Sequence, residues 1–258
     1  MIKLSVAIIT YNEENNIGRC LHSVQNIADE IVVVDSFSTD KTAQICQKMG
    51  AKVITHTFVG HIEQKNYALT QTNYDYVLSL DGDEELGPEL IAEIKEIKQN
   101  SDIAHLADGY FFNRLTNYAG HWVRYCGWYP DRKLRLFNKH KGQWSGVNPH
   151  DIIRMDVNAS INYISKDILH YSYASISAHV AQTNKFTSIA AKAAFANGVR
   201  SNIFKIITRP FFKFIRDYFL KLGILDGRYG LIICSINSLS ALLKYAKIFE
   251  LQLNKKID

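Results

Sequence analysis

The stretch LSLDGDEEL, residues 78–86, ends an apolar run in two aspartates that are separated by one glycine. An ionised carboxylate is costly beside an apolar core unless positive charge neutralises it. One interpretation is a turn, because Asp81-Gly82 is favourable turn chemistry and the glutamates that follow favour the start of a helix. The other interpretation is that Asp81 and Asp83 hold a divalent cation. The surrounding strands and helices bear on the choice.

Strand and helix patterns alternate before residue 100. Apolar runs of strand character occur at Lys3–Thr10, Ile31–Val34, Val53–Ile54 and Tyr76–Leu80. Apolar residues at helical spacing begin near Ile17, Asp40, His61 and Pro88. Strands that alternate with helices predict an α/β fold with a doubly wound, mostly parallel sheet.

Polar residues follow three of these strands. Tyr11-Asn12-Glu13, Asp35-Ser36 and Asp81-Gly82-Asp83 each come directly after a strand. Ligands of doubly wound sheets bind in the crevice at the carboxyl ends of the strands. Three strands therefore direct polar side chains to one place, which favours the cation site over the simple turn.

The remainder of the chain has a different texture. Beyond residue 102, short strand-like segments alternate with loops, and all three tryptophans lie in this middle third. From Ser175 the pattern is helical, with predicted breaks at Gly198, at Arg209-Pro210 and at Gly223.

Composition limits the class of protein. The 258 residues, 47% of them hydrophobic, are enough for a sizeable core. The four cysteines are too widely spaced for a zinc knuckle or a disulfide framework, so we expect them to be reduced. No segment reaches the roughly 18 uncharged apolar residues of a membrane span, and Glu13 follows the first apolar run too closely for a signal peptide. We expect a cytoplasmic protein.

A phosphate-binding loop is missing from the sequence. Neither Gly-x-Gly-x-x-Gly nor Gly-Lys-Ser/Thr occurs. A bound nucleotide would need another counter-charge for its phosphates. A divalent ion held by Asp83, with help from Asp81, supplies one, because magnesium typically takes one or two carboxylates together with phosphate oxygens.

Four motifs, in this order along the chain, resemble the donor half of the family 2 glycosyltransferases. They are SVAIITYNEENNIGRCLHSV, EIVVVDSFSTDKTAQIC, QKNYAL and YVLSLDGDEEL. This is the inverting group with the GT-A fold, which uses nucleotide sugars, and the resemblance covers residues 4–100. Two later segments resemble the lipopolysaccharide core β-1,4-glucosyltransferase branch, GWYPDRKLRLFNKHKGQWSGVNPHDII and GILDGRYGLI.

The resemblance implies a GT-A type, Rossmann-like doubly wound sheet with a C-terminal helical extension. It divides the chain into a nucleotide-sugar-binding half over residues 1–100, an acceptor-binding half over 101–175, and a basic helical region over 176–258. The implied donor is a UDP-sugar, and the implied cofactor is Mg²⁺ or Mn²⁺.

The same resemblance implies a set of donor-binding residues. They are Thr10, Tyr11 and Glu13 beside the uracil and ribose, Asp35 on the base, Lys65 by the nucleotide, and Asp81, Gly82 and Asp83 on the ribose and the metal. The metal ligands are Asp83 and Asp81. The sequence departs from the family pattern at two places. Asp35-Ser36-Phe37-Ser38 stands where many relatives have two aspartates and a glycine. Lys65 stands where arginine is more frequent, and a lysine keeps the charge but lacks the fork that binds two oxygens at once.

Inverting transfer also needs a base that accepts the proton of the acceptor hydroxyl. Asp151 stands where related enzymes carry a His-Glu or His-Asp pair, so we predict Asp151 as the base. Its alternative is a cap after the preceding proline, and Asp131 is the reserve base. Trp128 and His150 are the candidate acceptor-binding residues, with packing as the alternative for both.

His170 is a further candidate ligand of the metal. A lone histidine after a strand is more often structural, and that is the interpretation that the sequence favours.

Positive charge is concentrated at the C-terminus. Residues 181–258 carry 13 Lys/Arg against 4 Asp/Glu, whereas residues 1–180 carry 17 against 21. Cations and large apolar residues interleave over 203–222, as in a helix that lies on an anionic inner-membrane surface. Pro210 is predicted to split this helix. The alternative is a set of packed helices with solvated cations, and no nucleic-acid module accompanies the charge.

The sequence therefore predicts an inverting, metal-dependent hexosyltransferase that moves glucose from a UDP-sugar to a glycolipid or oligosaccharide acceptor such as the lipopolysaccharide inner core. Peripheral attachment to the inner face of the cytoplasmic membrane is an open alternative to a freely cytoplasmic enzyme. A peptide acceptor and a non-catalytic UDP-binding protein are the rival functions. A nucleotidyltransferase is disfavoured, because the first strand is not followed by a glycine-rich triphosphate loop.

Overall fold

The structure is a computed structural model that describes residues 2–99, 106–148 and 150–254. Its strands are β1 Leu4–Thr10, β2 Glu30–Asp35, β3 Lys52–Thr55, β4 Tyr76–Asp81, β5 Glu84–Leu86, β6 Gly109–Tyr118, β7 His121–Val123, β8 Asp131–Asn138, β9 Gly142–Val147, β10 His150–Met155 and β11 Ile161–Tyr173. Its α-helices are α1 Ile17–Val24, α2 Thr42–Lys48, α3 His61–Thr70, α4 Pro88–Gln99, α5 Ile176–Ala196, α6 Ile203–Ile215 and α7 Gly227–Asn254. A π-helical turn at Arg216–Leu220 and a 3-10 turn at Gly223–Asp226 separate α6 from α7.

The central sheet has the order β3-β2-β1-β4-β8-β6-β11-β5, with β7 paired to β6. Its first four strands are parallel, while β8 runs antiparallel to both β4 and β6. Every residue of β1 is buried, which explains its continuous apolar sequence, because a parallel strand with both faces covered has no polar side to show. The predicted α/β fold with a C-terminal helical extension is confirmed.

Helices cover both faces of the parallel strands. On one face α1 contributes Ile17, Leu21 and Val24, all fully buried, at the spacing of a single helical stripe. On the other face α3 contributes Ala68 and Leu69. Each fully buried aliphatic side chain of this kind stabilises the fold by about 1.5–3 kcal/mol. All four cysteines are buried and free, in line with their spacing.

The chain forms two compact units. The first comprises Met1–Leu115 and Asp131–Tyr171, and the second comprises Thr116–Pro130 and Ser172–Asp258. In the second unit α5 and α6 both pack on α7.

Helix α6 continues through Pro210, so the split that the sequence predicts at this residue is wrong. Proline removes one backbone donor from a helix, but Pro210 is buried, and the hydroxyl of Ser238 on α7 donates a hydrogen bond of 2.8 Å to its carbonyl oxygen. Tertiary packing therefore offsets a local preference for a break.

One helix in the described part of the chain, Gly223–Asn254, is long enough and apolar enough to cross a membrane by length and composition. This corrects the expectation that no segment reaches that length. In the sequence, serines and an asparagine interrupt the apolar residues of this segment. In the structure the helix continues through these polar residues.

His179 lies in an aromatic cluster of the second unit. Its ring contacts the rings of Tyr118, Trp128 and Tyr173 at centroid distances of 5.3, 5.7 and 4.6 Å. Its Nδ1 lies 3.1 Å from the hydroxyl of Tyr118. Burial lowers the pKa of His179 from an ordinary 6.5 to about 4.

We predict that His179 makes the protein less stable in mild acid. As the pH falls, His179 takes up a proton in the unfolded chain before it does so in the folded chain, and this favours unfolding. The free energy of unfolding is therefore at its full value above pH 6.5 and falls as the pH falls towards 4. The free energy of unfolding should fall by about 2 kcal/mol between pH 7.5 and 5 on this account. Urea titrations at the two pH values measure it. His179→Phe should remove this part of the pH dependence, and an unchanged slope in the variant would contradict the prediction.

Candidate functional site

The polar strand ends of the first unit meet at one edge of the sheet. In the parallel register Thr10 of β1 lies opposite Asp35 of β2, and Ile9 lies opposite Asp81 of β4. The structure thus brings together Thr10, Asp35 and Asp81, which the sequence placed at three separate strand ends.

Gly82 is required at this edge by space. A Cβ atom at Gly82 would lie 2.8 Å from Thr10 Oγ1, a distance that real Cβ atoms do not adopt. Thr10 Oγ1 is itself buried without a hydrogen-bond partner. A buried hydroxyl without a partner is costly. Thr10 Oγ1 is therefore an unsatisfied polar atom at the edge where the sequence predicts that the nucleotide sugar binds.

The loops after β1 and β2 are tied to each other. The amide of Asn12, which has a φ of 53°, donates to Ser38 Oγ at 2.8 Å. Both carboxylate oxygens of Asp35 accept hydrogen bonds from Ser38, one from its amide at 2.8 Å and one from its hydroxyl at 2.5 Å. Ser38, which departs from the family motif, therefore occupies both oxygens of the Asp35 carboxylate. The sequence predicted that this carboxylate would bind the uracil. Tyr11 is 57% exposed and is available to a ligand.

Glu13 lies in the same loop and carries a raised pKa. Burial is the main cause, and the neighbouring carboxylates of Asp83 and Asp40 add to it, while the amide of Asn16 opposes it. Asn16 donates to Glu13 Oε2 at 2.7 Å. Negative charge is thus crowded at this edge, as expected of a site that receives a cation.

Asp81 is the centre of a network of charges. Lys65 Nζ lies 2.9 Å from Asp81 Oδ1 and 2.7 Å from Asp151 Oδ2, so one ammonium joins two of the predicted site residues. Arg135 Nη2 lies 3.1 Å from Asp81 Oδ2 and 2.6 Å from Glu84 Oε1. Burial alone raises the pKa of Asp81, but Lys65 and Arg135 outweigh it and hold that pKa well below its usual range.

Sequence reasoning missed Arg135 and Glu84. Both are buried, Arg135 at 2% and Glu84 at 0% exposure. The backbone amide of Asp81 also donates to Glu84 Oε2 at 3.1 Å. Glu84 therefore holds the loop between β4 and β5 instead of starting a helix. A usable signal was present for Arg135, because it stands between two leucines in a strand pattern, where a charge needs a partner.

Asp83 contacts His170. Asp83 Oδ2 lies 3.2 Å from His170 Nε2, and the amide of Tyr171 donates to the carbonyl oxygen of Asp83 at 3.0 Å. Pairing of β11 with β5 places His170 opposite Glu84. The sequence favoured a structural role for this histidine, whereas the fold puts its ring against the predicted metal ligand.

The acidic edge fits a divalent cation in part. Within the described ranges no three His, Cys, Asp or Glu side chains converge as a complete metal centre. Mg²⁺ needs only one or two carboxylates when it also binds substrate phosphates, and carboxylate ligands also suit Mn²⁺. The Asp83 and His170 pair meets that smaller requirement.

Asp151 borders a cavity of about 530 Å³ in the first unit, together with Lys65, Asp81, Arg135 and Trp144. Lys65 Nζ lies 4.3 Å from the centroid of the Trp144 ring. The cavity thus combines a carboxylate, cations and an aromatic face, a lining of the kind found in small-molecule binding sites.

Asp131, the reserve base, and the two acceptor-binding candidates Trp128 and His150 remain. Asp131 accepts from Arg114 at 2.7 Å and also pairs with Lys133 at 3.1 Å; burial opposes its charge, but these cations lower its pKa. Trp128 belongs to the aromatic cluster of the second unit. His150 begins β10, and its side chain lies outside the described residues.

Removal of the Lys65 charge should destabilise the fold. Lys65→Met leaves Asp81 and Asp151 without their shared ammonium, which we expect to lower the free energy of unfolding by about 2 kcal/mol at neutral pH. Because the pKa of Asp81 is held low, this stabilisation is present above the ordinary carboxyl range and is lost only as the pH falls through the lowered value. Urea unfolding at pH 7 measures it, with Lys65→Arg as the charge-preserving control. Equal midpoints for Lys65→Met and the parent chain would contradict this assignment.

Comparison with known proteins identifies relatives of the chain. The sequence model of glycosyl transferase family 2 matches residues 5–159. An uncharacterized glycosyltransferase of Rickettsia typhi is 33% identical, over 99% of this chain and 90% of its own length. The lipopolysaccharide core biosynthesis glycosyltransferase LpsC of Rhizobium meliloti is 29% identical, over 96% of this chain and 93% of its own.

Among solved structures, glucosyl-3-phosphoglycerate synthase from Mycobacterium tuberculosis, crystallised with Mn²⁺ and UDP, aligns with a TM-score of 0.36 at 22% identity, covering 45% of this chain and 44% of that one.

Proposed function

The chain belongs to glycosyl transferase family 2, and from this premise we propose that it is an inverting, metal-dependent hexosyltransferase that moves glucose from UDP-glucose to a glycolipid of the lipopolysaccharide inner-core type. One observation carries the proposal: Asp81, beside Asp83 at the carboxyl edge of a GT-A sheet, shares a single ammonium with Asp151 across one cavity. The carboxylates that we assign to the donor and to the base therefore contact the same ammonium. The likeness to LpsC over nearly the whole chain supports the acceptor class.

The donor is assigned to the strand ends. Tyr11 is exposed and is assigned to the uracil ring, and the buried Thr10 Oγ1 keeps a hydrogen-bonding capacity that no protein group uses. Lys65 is nine-tenths or more buried, so its ammonium provides a positive charge for the diphosphate in a site of low dielectric.

Asp83 and His170 would hold Mg²⁺ or Mn²⁺, with Asp81 as a further oxygen ligand once a donor competes for Lys65. When bound, the ion supplies Lewis-acid stabilisation of the departing diphosphate. Arg135 keeps Asp81 oriented throughout, because it pairs with Asp81 and with the buried Glu84 at once.

Asp151 acts as the base. Its carboxylate accepts the proton of the acceptor hydroxyl while that oxygen forms a bond to the anomeric carbon. The bond from the anomeric carbon to the diphosphate oxygen breaks, and the diphosphate leaves from the opposite side, which inverts the configuration. Before it can accept a proton, Asp151 must give up its contact with Lys65, and a bound diphosphate draws that ammonium away.

The test is release of UDP by the purified chain. UDP-glucose, UDP-galactose and UDP-N-acetylglucosamine are each supplied with Mn²⁺ and a heptose-containing lipid acceptor, without acceptor, or with a chelator. We expect acceptor-dependent release, fastest with UDP-glucose, that the chelator abolishes. Release with a peptide alone would overturn the acceptor class, and no release from any UDP-sugar would leave a non-catalytic UDP-binding protein. Because UDP-sugars are cytoplasmic metabolites, the proposed location is the cytoplasm.

A further inference from the structure

An exposed apolar face runs along α6 and into the π-helical turn that follows it in the second unit. It consists of Ile203, Phe204, Ile207, Phe211, Phe212 and Leu220, whose exposed fractions run from 61% for Phe211 to 76% for Leu220. Isolated exposed apolar residues are ordinary, but contiguous ones of this size mark an interaction surface.

The same helix also carries the residues that hold it in the bundle. Pro210 is buried against α7, and Phe214 packs on the cluster that contains Ile233 and Cys234. Residues 203, 207 and 211 follow one another at intervals of four, which places them on the same side of a helix. The bundle therefore covers only the edge of α6 around Pro210 and Phe214, and the large apolar residues next to that edge remain exposed.

The charges around the apolar face have one sign. Between residues 203 and 228 the only acidic residues are Asp217 and Asp226, and they are 2% and 6% exposed. Asp217 pairs with Lys213 and Arg216. Asp226 accepts hydrogen bonds from backbone amides of 124 and 125. With both carboxylates buried and occupied, the exposed charge of this segment is positive, with Arg209, Lys221 and Arg228 all exposed.

The cations that border the apolar face favour an anionic bilayer over a second copy of the chain as its partner. A second copy of the chain, docked through the same face, would bring cations against cations, which is unfavourable across an interface. An anionic bilayer accepts both features, because apolar side chains enter the acyl boundary while cations meet the headgroups.

We propose that the apolar face docks the protein on the surface of an anionic phospholipid bilayer. Docking is independent of the chemistry assigned above, but it would hold a transferase at the surface that carries a lipid-linked acceptor. Helix α7 is not the docking element. It packs on α5, where Lys247 donates to Asn184 Oδ1 at 2.7 Å and to Ser188 Oγ at 2.8 Å, contacts that belong to a folded bundle.

Vesicle flotation with the full chain tests the proposal. We expect the protein to float with vesicles of phosphatidylcholine and phosphatidylglycerol and much less with phosphatidylcholine alone. Phe211→Gln/Phe212→Gln should weaken partition by about tenfold or more. Arg209→Gln/Lys221→Gln should weaken it by about fivefold per cation, on anionic vesicles only.

Two control pairs match these variants in the first unit. Val157→Gln/Ile161→Gln removes exposed apolar residues, and Lys48→Gln/Lys95→Gln removes exposed cations; both should float like the parent chain. Thermal melting verifies that each variant is folded. As a second measurement, the fluorescence of Phe212→Trp should shift to the blue on anionic vesicles and be quenched by brominated acyl chains.

Three results would overturn surface docking. The first is equal flotation of Phe211→Gln/Phe212→Gln and the parent chain, or no flotation of either. The second is a dimer in sedimentation velocity that this variant abolishes, which would assign the face to a second copy. The third is resistance of the bound protein to alkaline carbonate, which would indicate insertion of the helix at Gly223–Asn254.

Discussion

Asp83→Ala is expected to abolish sugar transfer and metal-dependent UDP binding together, with kcat/KM lower by about a thousandfold or more. Asp83 contributes the carboxylate that lies 3.2 Å from His170 Nε2, and the other two assigned ligands are one imidazole and an Asp81 that is already paired with two cations. Without Asp83 the leaving diphosphate loses the cation that stabilises its charge. Calorimetric titration of UDP with and without Mn²⁺ measures binding, and UDP release measures transfer.

The matched control is Asp75→Ala. Asp75 is an exposed aspartate that pairs with His140 away from this edge, so its loss should leave both readouts unchanged. If Asp83→Ala still bound UDP more tightly with Mn²⁺ than without it, the metal would have to be held elsewhere and the assignment of this edge would be wrong. His170→Ala should give a weaker form of the Asp83→Ala defect, since the carboxylate of Asp83 remains and Mg²⁺ takes oxygen ligands.

Asp151→Asn is expected to lower kcat by about a hundredfold to ten-thousandfold, the usual contribution of a general base, while the affinity for UDP stays within about a factor of three. Asparagine keeps the shape and an oxygen that can accept a hydrogen bond from Lys65, but it does not take up a proton. Single-turnover transfer with saturating UDP-glucose measures the chemical step, and UDP titration measures donor binding.

Asp131→Asn is the comparison that separates the two base candidates. Asp131 is held by Arg114 and Lys133, so we expect its loss to reduce stability more than the chemical step. Normal turnover by Asp151→Asn together with a large loss in Asp131→Asn would transfer the role of base to Asp131. Loss of donor binding in Asp151→Asn would instead indicate that the carboxylate acts by positioning Lys65.

The elements of the parallel sheet were predictable because their signals are local. Strand β1 was expected at Lys3–Thr10 and is found at Leu4–Thr10, and α3 was expected from His61 and begins there. Buried parallel strands need apolar residues on both faces, and helices need an apolar stripe, so both patterns are written in consecutive residues.

Elements that depend on packing were predicted less well. Pro210 has a local preference to end a helix, yet α6 continues to Ile215 because α7 buries that proline and bonds its carbonyl oxygen. The long helix at Gly223–Asn254 was likewise hidden by its polar residues, since a helix packed on neighbours tolerates serines that a simple hydropathy window counts against it.

Partnerships between charges were the least predictable part of the site. Lys65 and Asp151 are 86 residues apart in the sequence, and neither position reveals the other. The sequence offered a helix start for Glu84 only as part of the turn alternative, whereas Glu84 is fully buried and pairs with Arg135. The strand order that joins these two residues appears only when β8 has paired with β4.

The sequence by itself determined the alternation of strands and helices, the family, and the three polar strand ends that meet at one edge, since each depends on short-range periodicity or on a contiguous motif. Only the tertiary structure decided that one buried ammonium joins Asp81 to Asp151, that His170 faces Asp83, and that the second unit turns an apolar face outward. These features arise where distant segments meet. A charge or an apolar side chain acquires its environment from the neighbours that the fold provides, and no local pattern specifies them.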